Sequence, residues 1–410
     1  MDAVTVKPTY RSHVVAIPYP GRGHVNPLMN FCNILASKQP DTLVTFVVTE
    51  EWLGLISSSS NNSPSNLQFG SIPNVIPSEL VRNADPIGFV GAALTKMEAP
   101  FEELLDRFRQ PLRPTLIVTD AFLFWAIGVG NRRNIPVASF FPMSSTVFSV
   151  FYHFDLLAQH GHFPVDLLEK GNEMVDYIPG VSPLRLLDLP SLIFASNQYM
   201  LHRFLDLISW IPKAQYLILP SIYELESQVI KALKERISIP VYAIGPAIPD
   251  LKLRDNSSSS SDNNELSYLQ WLDCQPESSV LYVSLGSHVA VSSAQMDEIA
   301  AGLFNSGCPI LCCAILLSGG FWTHCGWNSV KEGILAGVPF LTFPIFADQL
   351  THSKMIVEDW KIGWRMKKEV VATTFGGKRG NCRACAEIYG LGKSCCPRNE
   401  KKIKRASTSM

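Results

Sequence analysis

The chain has 410 residues, a formal net charge of −1 and 47% hydrophobic residues. That length holds two domains of ordinary size, and that balance excludes a disordered chain and leaves no electrostatic footprint for nucleic acid or an anionic membrane. No apolar run reaches transmembrane length, and the first residues lack the apolar core and cleavage site of a signal peptide, so a cytoplasmic protein is expected.

Taken in chain order, HVVAIPY (13–19) is a short apolar run, followed by PGRGHVNP and the apolar-periodic LMNFCNILASK. That pattern predicts strand, loop, helix. DTLVTFVVTE predicts a second strand, PTLIVTD (114–120) another, then the helical AFLFWAIGVGNRRN and the strand IPVASFFP. Strands alternating with helices predict an α/β fold with a parallel, doubly wound sheet. A second such series starts at SVLYVSLGS (279–287) and continues through the helical SSAQMDEIAAGLF. Between the two lies KLRDNSSSSSDNNE, too polar to pack a core and read as a mobile loop, as is SSSSNNSPSN at 57–66.

The richest chemistry lies in GGFWTHCGWNSVKEGILAGVPFLTFPIFADQ, from Gly319 to Gln349. A strand-to-helix junction offers free N–H groups and a positive dipole end to a diphosphate. Ser329 is placed to cap that helix, His324 to hydrogen-bond a phosphate, and Glu332, one turn on, to reach a ribose diol. Asp348 and Gln349 follow the next strand, FLTFPIF, and suit the hydroxyls of a sugar. The set points to a nucleotide sugar, the bland alternative being an ordinary glycine-rich turn.

In the first series, Gly21, Gly23 and Pro27 flank His24 in the loop after the first strand, and Asp120 ends a buried strand. Imidazole is the usual side chain for removing a proton near neutral pH. A buried carboxylate needs a partner, and a His–Asp pair would supply one while fixing the tautomer. Taken singly, His24 also reads as a structural loop residue and Asp120 as a helix N-cap.

The run 319–349 resembles the signature box of the plant UDP-dependent glycosyltransferases of family 1, and the resemblance extends over about 10–307 and 319–372. Within it, MIVEDWKIGWRMKKEVV, SIYELE and VLYVSLGS resemble the branch that glucosylates flavonoids and other small phenolics of secondary metabolism. The resemblance implies two Rossmann-like domains facing a cleft (GT-B). It implies His24 as general base, Asp120 as its partner, and a nucleotide-sugar site of Ser287, His324, Cys325, Gly326, Trp327, Asn328, Ser329, Glu332, Phe346, Asp348 and Gln349. The implied reaction is inverting transfer of glucose from UDP-glucose to a small lipophilic acceptor, by a monomer that needs no metal and no cofactor beyond that co-substrate. The aromatic stretches 122–125 and 140–154 are expected to line the acceptor pocket, although such stretches are more often core. The expected organisation is an acceptor-binding domain at 1–245, a linker at 246–278, a nucleotide-sugar domain at 279–373 and an aberrant tail at 374–410.

Two stretches depart from the family. Its box opens with a Trp that stacks on uracil and a nearby Gln, some twenty residues before the His; CPILCCAILLS holds neither, and about thirty residues are missing, a strand of the second sheet expected among them. The tail from Thr374 has no apolar period, yet its permitted codons, read one base along, spell LLVAREEIAELVQRFMDLE, an amphipathic helix. Residues 374–410 and 310–318 therefore read as out-of-frame segments. Of the ten cysteines, Cys308, Cys312, Cys313, Cys382, Cys385, Cys395 and Cys396 fall in or beside these segments, which explains them better than a zinc site does. A chain so altered also reads as a non-catalytic remnant that still binds acceptor.

Overall fold

The computed structural model describes residues 10–57, 63–108, 113–248, 270–286, 293–307, 309–311 and 319–366. Ser287, the Ser-rich stretch of the linker, most of 310–318 and the whole of 374–410 lie outside the described residues. The chain groups into two units. The first holds 1–144, 199–222 and 230–250; the second holds 145–198, 223–229 and 251–410.

The first unit is built on a parallel sheet of β1 (Ser12–Ile17), β2 (Thr42–Thr49), β3 (Leu67–Ile72), β4 (Leu116–Asp120), β5 (Val137–Phe140), β8 (Tyr216–Leu219) and β9 (Val241–Ala243). Its order is β3-β2-β1-β4-β5-β8-β9. These strands read as continuous apolar runs because helices cover both faces. One face packs Val15, Ile17, Phe101, Ile117 and Val137, and the other Val14, Ala16, Phe46, Val118 and Phe140. Val14 to Ile17 of β1 pair in register with Leu116 to Thr119 of β4, which brings the ends of these two strands together. The order reverses between β1 and β4, so their carboxyl ends border the crevice where doubly wound sheets take ligands.

The second unit carries a shorter parallel sheet of β10 (Leu281–Ser284), β11 (Ile310–Leu311), β12 (Gly320–Thr323), β13 (Phe340–Thr342) and β14 (Gly363–Arg365), in the order β11-β10-β12-β13-β14. Renumbered from β10, this is 2-1-3-4-5, one of the two common doubly wound orders. Its core is Leu281, Val283, Ile299, Trp322, Leu341, Phe343 and Met366. Again the order reverses at a neighbouring pair, β10 and β12. A small antiparallel pair, β6 (Met174–Val175) with β7 (Leu184–Arg185), belongs to this unit as well.

In the aromatic stretch 140–154, Tyr152 and Phe154 are half-buried. Phe140, Phe141, Phe148 and Phe151 are all buried, and residues from Ser145 onward pack with the second unit. The helix Ser145–Tyr152 starts against Glu226, whose buried carboxylate accepts from the Thr146 N–H and Oγ1, each at 2.8 Å. A negative charge at the positive end of a helix is stabilised there. Among the described residues no helix is long and apolar enough to cross a membrane.

Candidate active site

His24 and Asp120 meet at the switch point of the first sheet. His24 Nδ1 lies 2.9 Å from Asp120 Oδ2. The carboxylate is fully buried while the imidazole keeps 18% of its surface exposed. Asp120 Oδ1 also accepts the Phe122 N–H at 2.9 Å, capping the turn Ala121–Leu123. Both readings of Asp120 therefore hold, one on each oxygen. An ionised carboxylate only accepts, so the pair places the imidazole proton on Nδ1 and leaves the Nε2 lone pair for a substrate. Tyr19 and Phe122 pack on the imidazole, with ring centres 4.9 and 4.7 Å away.

The structure corrects one expectation. His24 lies not in a loop but in the first turn of the helix Arg22–Lys38, which starts at Gly21, and its N–H donates to the Gly21 carbonyl. Pro27 suggests a later start, yet proline is tolerated near the beginning of a helix, where few N–H groups have partners within it.

Beside this pair lies a small apolar recess, lined by Tyr19, Phe122, Phe124, Phe204 and Leu207, with Arg203 among its walls. Of the expected stretch 122–125, Phe122 and Phe124 line the recess, while Leu123 and Trp125 are core.

In the second unit, His324 follows β12 and its N–H donates to the Ser284 carbonyl, at the end of β10, at 3.1 Å. Two glycines wedge its ring. A Cβ at Gly286 would lie 2.7 Å from it, and one at Gly326 would lie 2.4 Å from Nε2. Gly286 also has φ +84°, a conformation open to glycine. Burial lowers the imidazole pKa, so the ring is neutral at neutral pH.

The helix Trp327–Ala336 opens at Gly326 with no side-chain cap. Ser329 is thus not the cap. It is the third residue of the helix, because the glycine that makes room for the His324 ring also takes the capping position. An uncapped start suits an outside anion. Cys325 has φ +66° and a buried thiol whose pKa burial pushes up; its N–H donates to Thr323 Oγ1 and its carbonyl accepts from His352 Nδ1. Trp327 is buried, its ring 4.9 Å from that of His352. Both side chains are therefore buried, and what fixes them is backbone bonding and packing. Asn328 is half-buried in the first turn. Glu332 is exposed, but the surrounding protein crowds its carboxyl and raises its pKa.

After β13, Gln349 Oε1 accepts the N–H groups of Ile345 and Phe346 at 2.8 and 2.9 Å. This leaves its Nε2 to donate outward. Asp348 is half-buried, with Oδ2 3.4 Å from His352 Nδ1. Ala347, with φ +53°, is held by Ser191, a residue no sequence signal marks. Among the described residues no cluster of three metal-ligating side chains is present.

Residues 317–373 match the family described as UDP-glucoronosyl and UDP-glucosyl transferase. The chain is 46% identical over 385 residues to UDP-glycosyltransferase 87A1 of Arabidopsis thaliana, covering 86% of this chain and 85% of that protein. UDP-glycosyltransferase 87A2 of the same plant is 45% identical over 397 residues, covering 90% and 85%. The chain belongs to the plant family 1 UDP-glycosyltransferases. Enzymes of this family glycosylate small molecules. Medicago truncatula UGT71G1, solved with UDP-glucose, shares the GT-B fold with a TM-score of 0.79 at 22% identity, covering 97% of this chain and 93% of that one. A UDP-glucose:anthocyanidin 3-O-glucosyltransferase solved with UDP superposes with a TM-score of 0.77 at 23% identity, covering 98% and 93%. In this family 1 UDP-glycosyltransferase, His24 and Asp120 stand at the switch point of the first sheet and His324 at that of the second.

Proposed function

We propose that this glycosyltransferase moves glucose from UDP-glucose to a hydroxyl of a small lipophilic acceptor, a flavonoid or another phenolic, with inversion at the anomeric carbon. The His24–Asp120 pair carries this reading: a buried carboxylate orients an imidazole that keeps a free Nε2 beside an apolar recess. His24 Nε2 takes the acceptor proton as the oxygen attacks the anomeric carbon, and Asp120 stabilises the imidazolium that forms. UDP departs from the opposite face. Neutral His324, Ser287 and the uncapped helix start at Gly326 receive its growing charge, with no metal called for. Glu332 suits the ribose, while Asp348 and the outward Nε2 of Gln349 suit the glucose hydroxyls. The glucose assignment is supported by a 7-deoxyloganetin glucosyltransferase of Catharanthus roseus, 29% identical over 419 residues.

A second reading is a chain that binds acceptor but hardly transfers. It is favoured by the stretch 308–318, which holds no Trp. Stacking on an aromatic ring contributes about 1–3 kcal/mol per base, or roughly ten- to a hundredfold in affinity.

The test is prolonged incubation of the full chain with UDP-glucose and a flavonol, followed by NMR of the product. A β-glucoside supports glucosyl transfer; an α-glucoside overturns inversion. Acceptor binding without product selects the second reading.

A further inference from the structure

His352 is fully buried on the helix Gln349–Lys354, and no step of the transfer touches it. Its Nδ1 lies 3.0 Å from the Cys325 carbonyl oxygen. A carbonyl only accepts, so the imidazole proton sits on Nδ1. Burial lowers the imidazole pKa, which keeps the ring neutral at neutral pH with that one proton. Asp348 Oδ2, 3.4 Å from the same nitrogen, favours the same tautomer. The Trp327 ring, its centre 4.9 Å from that of the imidazole, packs against it.

That bond reaches the start of the next helix through a single peptide unit. The Cys325 carbonyl and the Gly326 N–H belong to the same trans peptide, so they point in opposite directions. Drawing the carbonyl inward to His352 turns the N–H the other way, at the uncapped start of Trp327–Ala336. The His324 ring stands beside the same glycine, where a Cβ would lie 2.4 Å from Nε2. This orientation needs holding. Cys325 has φ +66°, unfavourable for a residue with a Cβ, and a glycine follows, so the peptide would otherwise turn over readily. Thr323 Oγ1 holds the N–H side of Cys325 at 3.0 Å, and His352 holds its carbonyl side.

We infer that His352 is a positioning residue for the leaving group: its Nδ1–H pins the Cys325 carbonyl and so aims the Gly326 N–H at the diphosphate of the nucleotide sugar. An N–H fixed in advance stabilises the growing charge more than one that must first reorient. The inference rests on the glycosyltransferase reading only in taking the start of Trp327–Ala336 as the seat of the diphosphate.

The test exploits the sequence, in which Cys–Gly occurs once, at 325–326. The full chain, labelled with carbon-13 at its cysteine carbonyls and nitrogen-15 in its glycines, therefore gives a single carbonyl-linked amide signal by NMR. In the native chain the Gly326 amide should shift as UDP is added. His352→Leu, similar in shape but without a donor, should move the Cys325 carbonyl signal before any ligand is present. It should also blunt the Gly326 response and weaken UDP binding about tenfold. His352→Asn, whose Nδ2 takes the place of Nδ1, should restore the response and bring affinity back within about threefold. A native Gly326 amide that ignores saturating UDP, or a His352→Leu amide that responds as the native one does, overturns the inference. So does an equal loss of affinity in the two variants, the mark of a merely structural role. Glucoside assays separate the two claims. A native chain that shows the Gly326 response but forms no glucoside defeats glucosyl transfer and leaves His352 assigned. Native-like kcat/KM in His352→Leu defeats the role of His352 and leaves transfer standing.

Discussion

Ser191 and Ala347 exchange two hydrogen bonds: the Ala347 N–H donates to Ser191 Oγ at 2.8 Å, and the Ser191 N–H donates to the Ala347 carbonyl at 3.1 Å. They lie 156 residues apart and both belong to the second unit. Ala347 has φ +53°, which disfavours a residue with a Cβ. The clamp therefore holds a strained turn just before Asp348 and Gln349. Nearby, Thr351 Oγ1 donates to the Asp188 carbonyl at 2.7 Å, and the Asp188 carboxylate binds Arg185 and Arg365. The segment 185–191 thus fixes the turn from outside the box.

Loss of the clamp should act on the sugar and not on the nucleotide. Ser191→Ala should lower the affinity for UDP-glucose several-fold while UDP affinity stays within about twofold, and Ser191→Thr should restore it. Titration of each variant with UDP and UDP-glucose checks this. A parallel loss for both ligands would make the clamp merely structural.

Lys331 is 1% exposed on the helix Trp327–Ala336, and burial lowers its pKa to about 7 against a partial pull from Glu332. A cation whose folded pKa is depressed carries no penalty above its unfolded value, near 10.5. Stability then falls as the pH drops from about 10.5 towards 7, because the unfolded chain takes up the proton first. Lys331→Met should therefore stabilise the chain by about 1–4 kcal/mol at pH 7, with a smaller gain at pH 9.5. Urea unfolding at the two pH values measures the difference. A variant less stable than the native chain at pH 7 contradicts this account of Lys331.

His324 and His352 both have pKa values lowered by burial. Their contribution to stability is complete above the unfolded value, about 6.5, and is lost as the pH falls below it, since only the unfolded chain then gains protons. The melting temperature should drop between pH 6.5 and 5, and His352→Gln should flatten that drop while weakening the fold at pH 7.5. A steeper acid drop in the variant than in the native chain would be the contrary result.

The stretch 308–318 offers no ring to the uracil. Replacing it with the longer, Trp-bearing segment of a relative should tighten UDP binding by roughly ten- to a hundredfold. The transcript supplies a companion check: codons for Arg379 through Lys393, read one base along, should spell EEIAELVQRFMDLE. Unchanged UDP affinity after the replacement, or codons that spell anything else, would count against this account of the altered segments.

The alternation of apolar strands and helices was legible along the sequence because both faces of each sheet are covered, which makes strands such as Val14–Ile17 uniformly apolar. His24, Asp120 and the box were legible because they follow strand ends, where doubly wound sheets place ligands. Other features had no such signal. Pro27 hid the helical start at Arg22, and Gly326 took the cap that Ser329 is equally suited by type to provide. The apolar run 140–154 cannot be told from pocket lining by composition, since core and pocket use the same side chains. Ser191 meets Ala347 across 156 residues of chain, a contact that leaves neither a period nor a motif.

In the proposed reaction His24, held by Asp120, removes the acceptor proton. The direct measurement is glucoside formation by the native chain, His24→Ala and Asp120→Asn, alongside UDP affinity for each. His24→Ala should abolish detectable transfer with UDP affinity unchanged, and Asp120→Asn, which leaves the imidazole poorly oriented, should lower turnover severely. Native-like turnover in His24→Ala would contradict it.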